Sequence, residues 1–325
     1  SGTLTGASNF VTVQTQTREK AGHVYFINGK DRHETDAAYP GDLAAVTKLK
    51  DAHTGMSLCD PRRPLTFSEP SFPTATYSAS LKPKTRQDED KVAKALHFIT
   101  AEDPTFQISR DVQTGELVVS GLGELHLSII VNRIKKRFGA DIELGTPKVP
   151  YRETLLRKAS AQGKHKKQSG GHGQYGDCWL EVEPLERGAG FEFVDKIVGG
   201  AIPRNFIPSV EKGVRNVLNE GLLAGYPITD IRVTLYDGSY HDVDSSDMAF
   251  QIAARLAMKK IWEDGSPALL EPLMDVEITT PDEFTGTITG DLSTRRGRVM
   301  GMEAKGKNTL VKAQMPMAEL FKYAS

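Results

Sequence analysis

The chain has 325 residues, with 38% hydrophobic and 26% charged side chains, in the ordinary range for a folded globular protein. That length is too great for one ordinary core and sets an expectation of about two to four domains. The formal net charge of −1 excludes a uniformly basic nucleic-acid binder, so any polyanion binding has to come from local patches.

The chain opens at SGTLTGASNF without Met, as a processed or excised product would. Residues 1–66 read as short strands at Phe10–Gln16, His23–Ile27 and, after the Pro40-Gly41 turn, Leu43–Leu49. They amount to part of a small all-β unit, and Pro61 and Pro64 mark a linker. Residues 67–146 form the next unit. Thr76–Leu81 reads as a strand, and Arg86–Ala101 as a helix with Val92, Leu96 and Ile99 on one face. Strands at Phe106–Arg110 and Leu117–Ser120 follow, separated by the turn Gln113-Thr114-Gly115. A second helix, Gly123–Phe138, buries Leu127, Ile130, Val131 and Ile134 and stops at Gly139; Ala140–Leu144 is a last strand. The order βαββαβ is that of a ferredoxin-like unit.

Residues 147–270 mix strands with helices. Trp179–Glu183, Glu192–Ile197 and Asp230–Leu235 read as strands, and Asn205–Leu218 and Ser246–Glu263 as helices. Small residues in the second helix permit close packing. Residues 271–325 repeat the ferredoxin-like order: a strand at Leu273–Thr279, a helix at Pro281–Leu292, strands at Arg298–Glu303 and Leu310–Gln314, and a helix start at Met317–Tyr323. A final strand is missing, which points to a truncated domain, because natural domains cover open sheet edges.

Charge is segregated along the chain. From Lys148 to Tyr175 seven Lys or Arg stand against one acid, Glu153. From Asp291 to Lys312 six stand against Asp291 and Glu303. Within the first segment, Gly163–Gly176 reads GKHKKQSGGHGQYG, with Lys164, His165, Lys166 and Lys167 set against a glycine-rich run holding His172 and Tyr175. It lacks apolar periodicity and reads as a loop rather than a buried element. Glycines let backbone N–H groups approach a ligand closely and lysines add positive field, so a polyanion is the natural partner. The plainer reading is a hairpin tip. The stretch is neither a P-loop nor G-x-G-x-x-G.

Two further segments carry chemistry. In Gly238–Asp247, GSYHDVDSSD, His241 beside Asp242 and Asp244 invites a metal or general-base role. Helix capping accounts better for Ser245, Ser246 and Asp247, with Asp242 and Asp244 alternating along an extended segment. Capping leaves Tyr240 and His241 unexplained. In Gly290–Gly301, Arg295, Arg296 and Arg298 form a glycine-bounded turn suited either to phosphate contacts or to plain solvation. The two cysteines, Cys59 and Cys178, form neither a C-x-x-C pair nor a disulfide framework, which suits a reducing cytoplasm. No apolar run reaches membrane-spanning length, and the first residues lack a signal-peptide pattern.

GLGELHLSIIV (121–131), KQSGGHGQYGD (167–177), GGAIPRNFIPSVEKG (199–213), GLLAGYP (221–227), GSYHDVDSSDMAF (238–250) and GDLSTRRG (290–297), in this order, resemble bacterial elongation factor G. The resemblance runs over nearly the whole chain. It implies an α+β multidomain fold: a partial β-barrel (1–66, domain II-like) and a ferredoxin-like domain (67–146, domain III-like). A ribosomal-protein-S5-like α/β tip domain (147–270, domain IV-like) and a truncated second ferredoxin-like domain (271–325, domain V-like) follow. It further implies a part of a translational GTPase that moves tRNA and mRNA on the ribosome. GTP and Mg would belong to a domain outside these residues, so this part is expected to be non-catalytic, with no cofactor or metal of its own.

Carried over by motif, Lys164, Lys166, Lys167, Gly170, Gly171, His172, Gln174, Tyr175, Tyr240, His241 and Asp242 would meet the tRNA–mRNA duplex. Arg295, Arg296 and Arg298 would face large-subunit RNA. Such contacts read RNA mainly by backbone and shape. The domain III-like part would pack against the GTPase domain. The expected partners are ribosomal RNA, tRNA, mRNA and ribosomal proteins, with no membrane, for a cytoplasmic monomer. His172 departs from the family's usual Arg, and the HGQYGD form is similar to the second, elongation-factor-G-like copies of some bacteria. Ribosome-protection, stress or recycling factors of the same superfamily, and an autonomous metal-dependent hydrolase using His241, Asp242 and Asp244, are the alternatives.

Overall fold

The computed structural model describes residues 2–168, 173–321 and 323. The fold divides into two compact units, one comprising residues 2–147 with Phe321 and Tyr323, the other made of described residues within Lys148–Leu320.

In the first unit, residues up to the linker form three small sheets of very short strands around Phe10, Ala21, Val24 and Ala38. Two expected strands come out shorter. The strand Asn9–Thr12 ends in a turn closed by Gln16, at φ 57°, whose side chain donates to the Val13 carbonyl at 2.7 Å. Of Leu43–Leu49 only Ala45–Val46 pairs; Leu43 is 93% exposed and Lys48 adopts φ 67°, which breaks an extended run.

Beyond the linker lies a four-stranded antiparallel sheet in the order Gln107–Arg110, Leu117–Gly121, Tyr77–Pro83, Ile142–Gly145. The first and last strands in sequence are neighbours, which is the ferredoxin-like arrangement the periodicity predicts. Helices Arg86–Glu102 and Glu124–Phe138 bury Val92, Leu96, Ile99, Leu127, Ile130 and Ile134 in one core with the sheet. Gly139, at φ 62°, closes the second helix in the left-handed region, where a Cβ is disfavoured. The two helices are fastened end to end. His126 Nε2 meets Asp103 Oδ2 at 2.9 Å, while His126 Nδ1 accepts the Leu122 N–H at 3.0 Å.

The second unit is built on a four-stranded sheet in the order Ala159–Lys167, Gln174–Pro184, Ile231–Ser239, Phe191–Asp195, the last pair parallel. Helices Ile207–Glu220 and Asp247–Asp264 cover one face. Val210, Val214, Phe250, Ala253, Ala257 and Ile261 are sealed there against Cys178, Leu180, Val182, Val233 and Leu235. Burial, and secondarily the charge of Asp177, pushes the Cys178 thiol up to about 12, so it is inert at neutral pH.

A separate ribbon pairs Arg152–Leu155 with Pro267–Leu270; neither strand stands out in the sequence. The remaining residues form a three-stranded sheet, Leu273–Pro281, Asn308–Pro316, Arg298–Lys305, with helix Thr285–Thr294 against it. The first and third strands in sequence, Leu273–Pro281 and Asn308–Pro316, are adjacent, as in the earlier ferredoxin-like sheet.

One expectation is overturned. Gly163–Gly176 is not a loop outside the fold: Gly163–Lys167 and Gln174–Gly176 are paired strand residues of one hairpin. Gly163 and Gly176 are buried beneath helix Asp247–Asp264. A Cβ on Gly163 would collide with the Ala253 carbonyl, and one on Gly176 would stand 2.5 Å from the Ala249 carbonyl. These two glycines serve helix–sheet contact rather than a ligand. The strand escapes detection because small and polar residues occupy its inward positions.

Candidate RNA-binding tip

The hairpin places its charged residues by alternation. Gly163 points inward, so Lys164 and Lys166 share the outer face with Tyr175, Asp177 and Trp179 of the partner strand. Lys166 and Lys167 are exposed, and among the described residues neither has an ion-pair partner. Lys164 lies 3.8 Å from Asp177 Oδ2 and 5.5 Å from the Tyr175 ring centroid. Gln174 is exposed and its Oε1 lies 2.9 Å from His165 Nε2. Gly170, Gly171 and His172 lie outside the described residues.

The segment after Ile231–Ser239 returns to the same end of the sheet and is stitched to the hairpin. Asp244 Oδ1 accepts the Gly173 N–H at 3.0 Å, and the Asp244 carbonyl accepts the Tyr175 N–H at 2.8 Å. Ser245 Oγ donates to the Tyr175 carbonyl at 3.1 Å and accepts the His241 N–H at 2.9 Å. Below them, the Tyr175 hydroxyl meets Ser239 Oγ at 2.7 Å, and Ser239 Oγ donates to Asp177 Oδ2 at 2.7 Å. Asp177, nearly buried, also accepts from Gln162 Nε2 at 2.9 Å. A half-buried network of this kind, centred on the buried Asp177 carboxylate, fixes geometry. The two segments therefore present one composite surface, with Tyr240 and His241 exposed and the His241 ring 6.3 Å from that of Tyr175.

The expectation for Asp242 and Asp244 changes. Asp242–Asp244 is a turn, not an extended run, because His241 Nδ1 accepts the N–H groups of Val243 and Asp244 at 3.3 and 3.2 Å. Ser246 caps the following helix, accepting the Ala249 N–H at 3.3 Å, and Asp247 in the first turn accepts from Ser209 Oγ at 2.6 Å. Ser245 is spent on the hairpin instead. Among the described residues no three His, Cys, Asp or Glu side chains group as a metal site. Asp244 holds the Gly173 amide through Oδ1 and the Tyr175 amide through its carbonyl, and the arrangement offers hydrogen-bonding groups and charge.

Two buried carboxylates that the sequence reading did not single out support this domain. Glu153, fully buried, accepts four backbone N–H groups, from Leu222 and Leu223 at 2.8 Å, Ala224 at 2.7 Å and Tyr226 at 3.1 Å. Burial alone would raise its carboxyl, but these donors outweigh it and hold the group below the ordinary range. Asp230 likewise accepts from Gly188 and Gly190 and is lowered against its own burial. The only signal for Glu153 was its position as the one acid in a basic segment.

The arginine turn is organised differently. Arg295 pairs with Asp291 one helical turn back at 3.0 Å. Arg296, at φ 59°, reaches Glu271 at 2.7 Å and Glu319 at 3.2 Å; these hydrogen bonds raise its pKa. Arg298 begins a strand, is exposed, and has no ion-pair partner among the described residues.

No helix is long and apolar enough to cross a membrane among the described residues. Family models match the chain almost end to end beyond the first sheets: "Elongation Factor G, domain III" at 72–146, "Elongation factor G, domain IV" at 147–266 and "Elongation factor G C-terminus" at 268–325. The chain is 50% identical over 325 residues to an "Elongation factor G-like protein" of Thermotoga maritima, covering all of this chain and 48% of that protein. It is 46% identical over 326 residues to the elongation factor G of Aquifex pyrophilus, covering all of this chain and 46% of that one. A crystal structure of a Thermus thermophilus protein superposes with a TM-score of 0.79 at 39% identity, over 99% of this chain and 48% of that one. The chain thus spans about half the length of the relatives it matches. Three consecutive models of one family, and alignment over the whole of this chain to two of its curated members, show that the chain belongs to the elongation factor G family.

Proposed function

We propose that this chain is the ribosome-engaging part of an elongation-factor-G-like translational GTPase that promotes tRNA–mRNA translocation. The observation that carries the reading is the joining of the Lys164–Tyr175 hairpin and the Ser239–Asp244 turn through Asp244, Ser245 and Tyr175. Separately, each is an ordinary polar segment; joined, they make one composite end bearing Lys164, Lys166, Lys167, Tyr240 and His241. RNA is read through such mixed backbone and shape contacts. In this reading Lys164, Lys166, Lys167, Gly170, Gly171, His172, Gln174, Tyr175, Tyr240, His241 and Asp242 meet tRNA and mRNA. Arg298, with Arg295 and Arg296 behind it, faces ribosomal RNA.

GTP and Mg would be held by a part of the full-length protein outside these residues, so the chain is non-catalytic and acts as a cytoplasmic monomer. It should show no saturable GTP binding. A second reading is a ribosome-protection, stress or recycling factor of the same superfamily; the Thermotoga relative is called elongation-factor-G-like rather than elongation factor G. Movement of tRNA on programmed ribosomes by the full-length protein separates the two. Binding without movement would replace the translocase reading.

A further inference from the structure

The sheet of the second unit has helices on one face only, and its other face is unevenly composed. Its lower part is self-neutralised: Lys158 pairs with Glu181 at 2.7 Å, and Arg232 pairs with Glu183 at 2.8 Å and Glu192 at 2.7 Å. Its upper part holds Trp179, Tyr236, Gln162, Lys164 and Lys166. Between Trp179 and Leu180 the register shifts: Trp179 faces Asp237 while Leu180 faces Leu235, leaving Tyr236 as the bulged residue. A bulge re-aims a side chain. Here it sets the Tyr236 ring 6.3 Å from that of Trp179, tilted by 48°, with Tyr236 37% exposed. The one exposed acid beside the pair, Asp237, turns back to accept the Gly238 N–H at 2.8 Å.

We propose that this open sheet face binds single-stranded RNA, with an unpaired base stacked on the Trp179–Tyr236 pair and the phosphates running past Lys164 and Lys166. The inference rests on the RNA-engaging reading of the tip and extends it. Charge decides the occupant: glutamates hold Lys158 and Arg232 on the lower half, while Lys166 on the aromatic half has no ion-pair partner among the described residues, and there stacking and phosphate contacts act together on single strands. Continuity supports it. Trp179 is four residues from Tyr175 on one strand, about 13 Å away, within reach of one RNA strand held at the tip. A duplex cannot offer a free base face to this pair.

Titration of the chain with short oligouridine, followed by tryptophan emission, reads the stacking directly. The chain has two tryptophans, and Trp262 is buried, so quenching reports Trp179. Oligouridine should quench emission, its duplex with oligoadenylate should not, and Trp179→Phe should abolish the quench. Tyr236→Ala should weaken oligouridine binding about tenfold without changing its salt slope. Lys167→Gln, at an exposed lysine outside the sheet-face site, tests the tip separately, through the salt slope of ribosome binding. Unquenched emission at saturating oligouridine, or equal quenching by the duplex, overturns the sheet-face proposal whatever the lysine variant does.

Discussion

Two glycine-bounded cationic segments, Lys164–Tyr175 and Gly290–Gly301, look alike in sequence and end in opposite electrostatic states. In the arginine turn, carboxylates close the charges: Asp291 holds Arg295, and Glu271 and Glu319 hold Arg296. In the hairpin, Lys166 and Lys167 keep theirs open. The nearest acid in sequence, Asp177, meets Lys164 alone among the described lysines, and Glu153 is buried and engaged by the Leu222–Tyr226 amides. Local net charge thus says little about available charge. What matters is where the fold takes each carboxylate.

The largest effect tests the frame under the open segment. Gly163→Ala drives a methyl into the Ala253 carbonyl, and backbone cannot yield as a side chain can. It should cost about 3 kcal/mol, read by urea unfolding through the emission of Trp262 on the same helix. Wild-type stability in this variant would return Gly163 to the role of a ligand-approach glycine. Next, Glu153→Gln removes a carboxylate from four donors and should destabilise by about 2 to 3 kcal/mol. The folded carboxyl is lowered, so its stabilisation is complete above the unfolded glutamate pKa, about 4.3, and is lost as pH falls through the folded value. The gap between wild type and variant should therefore close on acidification below about pH 4. Affinity of the tip for RNA should not change, because Glu153 lies elsewhere.

The ferredoxin-like sheets and the long helices were legible because their apolar residues recur at helical spacing between turn residues, as at Val92, Leu96 and Ile99. The strand Ala159–Lys167 was not. Its inward positions are Ala159, Ala161 and Gly163, too small to show alternation, while its outward lysines mimic a loop. The ribbon joining Arg152–Leu155 to Pro267–Leu270 was hidden because its strands lie more than a hundred residues apart. At the site, helix capping by Ser246 could be read from spacing. The bond from Gly173 to Asp244 could not, since its members are 71 positions apart.

The open lysines should show in salt dependence. Replacing Lys164, Lys166 and Lys167 with Gln should weaken ribosome binding at low salt and reduce the slope of log K against log salt by ~2. Lys164 should contribute least, because Asp177 already offsets it. An unchanged slope would show that these charges are no more available than those of Arg296.

The smallest effect separates the two arginines directly. Arg296→Gln removes a guanidinium that two carboxylates hold; phosphate can gain it only by displacing Glu271 and Glu319. The variant should lower the melting temperature slightly and leave the salt slope of ribosome binding as it was. Arg298→Gln removes an exposed charge at a strand start and should lower that slope by roughly 0.7 with the melting temperature unchanged. The reverse pattern would mean that RNA breaks the Arg296 pairs on binding. The turn would then be a latch, and the difference between the two cationic segments would hold only for the free protein.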